Sequence, residues 1–175
     1  MPKQLKDFIR SVKDFPKEGI VFRDITTLLK EPKAVKLTLQ SLLRFTEGIQ
    51  IAKVVGIESR GFIFGALLAE KLNVGFVPVR KPGKLPAETE KMTYALEYGT
   101  DTIEIHKDAI KRGEKVLIHD DLIATGGTAC ASATLVEKLG GEVVQLSFII
   151  ELSFLNGRDK LKNYDVKSLI QYETE

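Results

Sequence analysis

Val116-Leu117-Ile118-His119-Asp120-Asp121-Leu122-Ile123-Ala124-Thr125-Gly126-Gly127-Thr128 is the stretch from which the fold can be read. The apolar run from Lys115 to His119 predicts a short strand buried in a parallel sheet. Two adjacent acids end it, a loop of small residues follows, and a helix starts near Thr128 and runs to Leu139. That helix carries Leu135, Val136 and Leu139 on one face and stops at Gly140-Gly141. In open α/β sheets, ligands bind at the carboxyl ends of strands. Gly126 and Gly127 let the backbone turn sharply and present its N–H groups. The helix start adds unpaired donors and the positive end of its dipole, and Thr125 and Thr128 add hydroxyls. Ala124, Thr125, Gly126, Gly127 and Thr128 thus make a cradle for a phosphate. Bare carboxylates would repel that phosphate, so a sugar must lie between them. Asp120 and Asp121 suit the 2′ and 3′ hydroxyls of a ribose whose 5′-phosphate rests in the loop. A plain strand-to-helix turn would not need adjacent acids. The spacing is neither a Walker loop nor a dinucleotide GxGxxG fingerprint.

Outward from this stretch, strand and helix patterns alternate. Ile51–Ile57 reads as a strand, Gly65–Leu72 as a helix, Val74–Val79 as a strand ended by Pro82-Gly83, and Val143–Ile150 as another strand. Strand, helix, strand in this order predicts an α/β fold with a mostly parallel sheet and right-handed crossovers. Residues 1–48 lie outside the sheet pattern. They are expected to begin with a helix, break at Phe15-Pro16, extend through Gly19–Phe22 and resume as a helix from Val35 to Phe45. Residues 82–106 form a long insertion whose later part alternates like a ribbon, Ile103 and Ile105 opposite Thr102, Glu104 and His106. A long excursion within a compact domain is usually functional or disordered.

The 175 residues suit one domain, and 43% hydrophobic with 29% charged residues is an ordinary globular balance. A net charge of +2 is too small to point to nucleic acid or a membrane surface as partner. The single cysteine, Cys130, excludes an intrachain disulfide and a cysteine-rich metal site. The charged N-terminus is unlike a signal peptide, and no apolar run approaches the roughly 20 residues of a membrane span. The expected location is therefore cytoplasmic.

The acid–acid–Thr-Gly-Gly-Thr segment resembles the phosphoribosyl pyrophosphate motif of the type I phosphoribosyltransferases. Asp14–Thr26, Gly56-Ile57-Glu58-Ser59-Arg60-Gly61-Phe62, Arg80–Pro86, Tyr94–Gly99 and Glu151-Leu152 before Gly157-Arg158 are similar to the adenine branch of that family, in the same order and over nearly the whole chain. The resemblance implies the family's fold: a central sheet flanked by helices, a small N-terminal hood (about residues 1–35), a core (about 36–175) and a flexible lid loop (about 84–104). It also implies the activity, adenine plus phosphoribosyl pyrophosphate to AMP plus pyrophosphate in purine salvage, with Mg²⁺ as cofactor and a homodimer as the working form. Transfer to another purine base, or a nucleotide-sensing regulator on the same fold, are the alternatives. The regulator should carry a DNA-binding domain or a basic face.

Residue roles follow from the same resemblance. The Glu58–Gly61 loop, which in this family often holds a cis peptide, would contact pyrophosphate. Arg60, Arg80, Lys81 and Lys84 would neutralise it as it leaves, the arginines as forks and the lysines as point charges. On charge alone, Arg80, Lys81 and Lys84 read as a solvated loop. Backbone groups of Val21 and Arg23 would read the edge of adenine, with Phe22 and Leu152 on its faces; composition alone would make both core residues. Glu97 would handle the proton at N7, with Tyr98 beside it, though each could simply be a solvent-facing residue. Arg60 and Asp121 complete the catalytic set, and no metal ligand is assigned because Mg²⁺ would be held mainly by substrate oxygens and water. His119 stands where similar sequences have an apolar residue. It reads as a core histidine with one hydrogen-bond partner, or as a pH-dependent neighbour of the acids.

Overall fold

The computed structural model describes residues 4–95 and 99–174. A 3₁₀ turn at Leu5–Phe8 leads into β1 (Arg10–Lys13) and β2 (Val21–Asp24), an antiparallel pair with Arg10 opposite Asp24 and Lys13 opposite Val21. The expected N-terminal helix is thus only one tight turn. It buries no residue, and the chain gains more by pairing β1 with β2. Two helices follow, α1 (Thr26–Leu29) and α2 (Pro32–Arg44). Pro32 starts α2 where a missing N–H costs nothing, and Ala34, Thr38 and Leu42, four residues apart, form its buried stripe.

The central layer is built next: β3 (Lys53–Ile57), α3 (Gly61–Leu72) and β4 (Gly75–Val79). Asn73 ends α3 in the left-handed conformation, φ 55°. β5 (Thr89–Ala95) and β6 (Thr100–His106) form an antiparallel ribbon. Then come β7 (Lys115–Ile123), α4 (Gly127–Lys138), β8 (Glu142–Leu152), two 3₁₀ segments at Ser153–Leu155 and Gly157–Leu161, and β9 (Val166–Tyr172). Five strands pair in parallel in the order β4-β3-β7-β8-β9. The α/β expectation holds.

Several boundaries differ from the sequence reading, among them the start of α3, at Gly61 rather than Gly65. β7 does not end at His119 but runs through both acids to Ile123, because β8 continues beside it with Asp120 opposite Phe148 and Ile123 opposite Glu151. β9 was not expected, since 3₁₀ segments rather than a helix lead into it. The sheet is apolar on both faces. Val55, Ile118 and Phe148 pack with Leu135 of α4 on one side, and Val54, Leu117 and Ile149 pack with Phe64 and Leu68 of α3 on the other. From β3 the chain moves outward to β4 on one side, while β7 pairs on its other side. The crevice beyond the carboxyl ends of β3 and β7 is therefore a topological switch point. The loop after β3 and the glycine turn after β7 both open into it.

Candidate active site

The two acids sit side by side at the end of β7. Asp121 is buried, and its Oδ2 lies 3.0 Å from Arg60 Nε. Asp120 is half-buried, and its Oδ1 accepts the Asp121 backbone N–H at 2.8 Å. Burial pushes both carboxyls above their usual range; the adjacent Asp121 charge raises Asp120 further, and the Arg60 guanidinium pulls Asp121 back. Gly61 makes this arrangement possible. A β-carbon there would lie 2.7 Å from the His119 carbonyl oxygen and 2.9 Å from Asp120 Oδ1. With only hydrogen in that place, α3 starts directly against β7 and delivers Arg60 to Asp121. The Arg60 guanidinium also lies 5.0 Å from the Phe22 ring centroid. One side chain thus joins the acid pair to an aromatic face.

The phosphate turn is shaped by backbone. Gly126 has φ +74°, and a β-carbon on it would meet the Gly157 carbonyl oxygen at 2.2 Å. A β-carbon on Gly157 would in turn lie 2.2 Å from the Ala124 carbonyl oxygen. Ala124, Thr125, Gly126, Gly127 and Thr128 line a cavity of about 200 Å³ together with Asp120. The first N–H groups of α4 belong to this turn, and an anion there gains from the helix dipole.

Across the crevice, the peptide bond Glu58–Ser59 is cis. Glu58 organises the basic loop: its carboxylate accepts the Lys81 backbone N–H at 2.8 Å and Arg80 Nε at 3.3 Å. The Lys81 N–H does most to hold the Glu58 carboxyl below its usual range, with Arg80 adding to it against burial. Arg80 Nη1 also donates to the Lys84 carbonyl at 3.1 Å, closing the loop. The Lys84 residue is exposed, whereas the Lys81 ammonium is engaged by Asp101 of β6. The solvated-loop reading therefore fits Lys84 alone.

Val21 and Phe22 are half-buried on β2, which among the described residues pairs with β1 alone. The Arg23 side chain points into the core. It stacks 3.9 Å from the Tyr172 ring centroid and donates to Ser11 Oγ. Only its backbone is available to a ligand. Leu152 packs with the α3-side core at the end of β8. Glu97 and Tyr98 lie outside the described residues. His119 is fully buried, with Nδ1 3.0 Å from Ser147 Oγ, and desolvation lowers its pKa to about 3. It is a core histidine with one hydrogen-bond partner.

Residues 25–173 match the phosphoribosyl transferase domain. The chain belongs to the phosphoribosyl transferase family. It is 59% identical to an adenine phosphoribosyltransferase of Christiangramia forsetii over 97% of this chain and 99% of that one. Among solved structures, the adenine phosphoribosyltransferase of Thermoanaerobacter pseudethanolicus superposes with a TM-score of 0.94 at 56% identity, covering 96% of this chain and 98% of that one. The Saccharomyces cerevisiae enzyme, solved with a bisphosphate iminoalditol and adenine, gives 0.89 at 46%, covering 94% and 96%. The fold is that of the type I phosphoribosyltransferases.

Sequence reasoning missed several supports of this site. Gly157 packs against the backbone of the glycine turn. Glu151 and Arg158 hold it through a paired contact at 2.6 and 2.7 Å, and Arg158 also reaches the Val166 carbonyl at 2.8 Å. Glu104, read as lying on the ribbon face opposite Ile103 and Ile105, is buried and pairs with Lys91 Nζ at 2.8 Å. Its strand also bridges to the backbone of Arg80. The Glu-Leu…Gly-Arg stretch at 151–158 carries part of the resemblance, which assigns it no supporting role; nothing local marks Glu104.

Proposed function

We infer that this chain transfers the phosphoribosyl group of phosphoribosyl pyrophosphate to N9 of adenine, releasing AMP and pyrophosphate in purine salvage. The observation that carries this is the buried Asp120–Asp121 pair, set between the glycine turn and Arg60, whose other neighbour is the Phe22 ring. Ribose hydroxyls fit the acids, the 5′-phosphate fits the turn, and a flat apolar base fits beside Phe22. The close relatives named as adenine phosphoribosyltransferases support the choice of base.

In this reading the N9–C1′ bond forms as the bond from C1′ to the pyrophosphate oxygen breaks, and the electron pair leaves with pyrophosphate. Positive charge gathers on the ribose ring, so catalysis rests on positioning, charge relief at the leaving group and exclusion of water. Asp120 and Asp121 hold the ribose, and Arg60 keeps Asp121 in place. Arg80, Lys81 and Lys84 receive the charge of the departing pyrophosphate. Glu97 takes the proton from N7, with Tyr98 alongside.

Mg²⁺ belongs to the proposal as a companion of the substrate. Among the described residues no group of three or more His, Cys, Asp or Glu side chains converges. The hard oxygen donors at this end are Asp120 and Asp121, the latter already paired with Arg60. That set suits an ion held mostly by pyrophosphate, ribose and water, where it would neutralise leaving-group charge. A homodimer is supported by exposed apolar side chains on neighbouring helices, Leu37 of α2 and Ile63 of α3. A cytoplasmic setting is supported by the unpaired Cys130, which suits a reducing compartment. Among the described residues no helix is long and apolar enough to cross a membrane.

The direct test is to incubate the protein with phosphoribosyl pyrophosphate, Mg²⁺ and each purine base. AMP from adenine is expected; IMP or GMP formed in preference would overturn the choice of base. Glu97→Gln should lower turnover while leaving phosphoribosyl pyrophosphate binding nearly unchanged. Unchanged turnover would remove Glu97 from the mechanism.

A further inference from the structure

Asp101 opens towards the crevice from β6 and gathers three contacts. Its Oδ2 takes the Lys81 ammonium and also accepts the Tyr94 hydroxyl at 3.1 Å. Its Oδ1 accepts the Thr102 backbone N–H at 2.8 Å, which fixes the carboxylate's orientation. The Tyr94 hydroxyl lies at the same time 2.9 Å from Thr128 Oγ1. The Tyr94 ring covers Gly127, where a β-carbon would be 3.3 Å from Cδ2. A continuous chain, Lys81–Asp101–Tyr94–Thr128, therefore spans the crevice from the basic loop to the phosphate turn.

Proton counting gives this chain a direction. Burial works to raise the Asp101 carboxyl, but the Lys81 ammonium and its other donors override that and leave it lowered, hence ionised and acceptor-only. Burial pushes the Tyr94 hydroxyl up to about 12, so it keeps its one proton at neutral pH. That proton goes to Asp101, since a carboxylate has none to give. Thr128 must then donate its own single proton to Tyr94. Two donors that face the substrate's anionic groups, the Lys81 ammonium and the Thr128 hydroxyl, are both committed to Asp101, one directly and one through Tyr94.

We infer that Asp101 is a positioning residue that competes with the substrate's phosphates for Lys81 and Thr128, holding both donors in place until the anion takes them over. This rests on the placement of pyrophosphate beside Lys81 proposed above. When the anion binds, the ammonium moves from carboxylate to phosphate oxygen, and the Thr128 hydroxyl is free to turn into the glycine turn.

The test is calorimetric titration of pyrophosphate, in the presence of Mg²⁺, into the wild-type protein, Asp101→Asn, Lys81→Gln and the double variant. Asp101→Asn removes the competitor with little change of shape and should tighten binding about fivefold, the upper range for a partly exposed ion pair. Lys81→Gln should weaken binding, and in that background Asp101→Asn should change affinity by less than about twofold, because the effect acts through Lys81. Asp101→Glu, which restores the charge, should return towards wild type. If Lys81→Gln weakens binding but Asp101→Asn leaves it unchanged or weaker, the inference falls while the pyrophosphate placement stands. Equal tightening with and without Lys81 would mean only that a negative charge had been removed, and would also overturn it. If Lys81→Gln changes nothing, the placement of pyrophosphate fails, and the inference with it.

Discussion

The glycine turn at Ala124–Thr128 and the basic loop at Arg80–Lys84 face the same crevice but are held by different means. At its tightest point the turn is fixed by backbone against backbone, with the Glu151–Arg158 pair holding the Gly157 segment behind it. Gly126 and Gly157 approach so closely that neither tolerates a side chain, and the strand that carries the acids continues beside β8 to Ile123. The basic loop is fixed by side chains: Glu58 gathers Arg80 and the Lys81 N–H, and Asp101 holds the Lys81 ammonium. A preorganised backbone suits a phosphate that stays attached throughout the reaction. Side-chain ion pairs that can be exchanged suit a pyrophosphate that must arrive and then leave.

The comparison is broken most severely at its rigid end. Gly126→Ala puts a β-carbon 2.2 Å from the Gly157 carbonyl oxygen, so the turn has to move. A fall in kcat/KM of about 1,000-fold is expected, the size of losing preorganised donors; steady-state kinetics near wild type would show that the turn does not hold the phosphate. Asp121→Ala takes away the proposed ribose acceptor and leaves Arg60 without its carboxylate. Its kcat/KM should drop about 100-fold, as for a lost charged hydrogen bond with its knock-on misplacement, and turnover close to wild type would remove Asp121 from the site.

Next in size is a pH effect that belongs to the rigid side alone. His119 is neutral in the fold with a pKa of about 3, against 6.5 when unfolded. Its contribution is whole above pH 6.5 and declines as pH falls towards 3, because only the unfolded chain binds the proton in that window. Between pH 6.5 and 5 this costs about 2 kcal/mol. Denaturant melts of His119→Val should show a flatter stability profile over that interval; an unchanged slope would contradict the buried neutral ring. Smallest is Lys84→Ala on the exchangeable side. KM for phosphoribosyl pyrophosphate should rise about fivefold with kcat little altered, and the gap should close with added salt, since an exposed charge is screened. A salt-independent effect would argue for a packing role.

The same contrast explains what could be read from the sequence. The cradle was legible because glycines, acids and strand pattern stand within thirteen consecutive residues. The parallel strands flanking it were legible for the same local reason, as apolar runs with turn residues between them. The supports were not. Gly157 meets Gly126 only because β8 and a 3₁₀ segment bring it back. Asp101 meets Lys81 only because the β5–β6 ribbon folds over the crevice. The resemblance gave Arg23 a backbone role, and nothing local showed its guanidinium stacked on Tyr172, at the far end of the chain. The extension of β7 to Ile123 also escaped, since it depends on how far β8 runs beside it.

The contact between Gly126 and Gly157 has a consequence for biosynthesis. The backbone that props the glycine turn is added late, after β8 has joined the sheet, so a nascent chain that has emerged only as far as α4 carries every residue of the motif without the packing that shapes its cavity. Substrate cannot stabilise such an intermediate by mass action, because ligand linkage acts only on a state that binds it. Nucleotide in the cell can protect the completed protein, while the growing one must reach β8 and the Gly157 segment on the strength of its own packing.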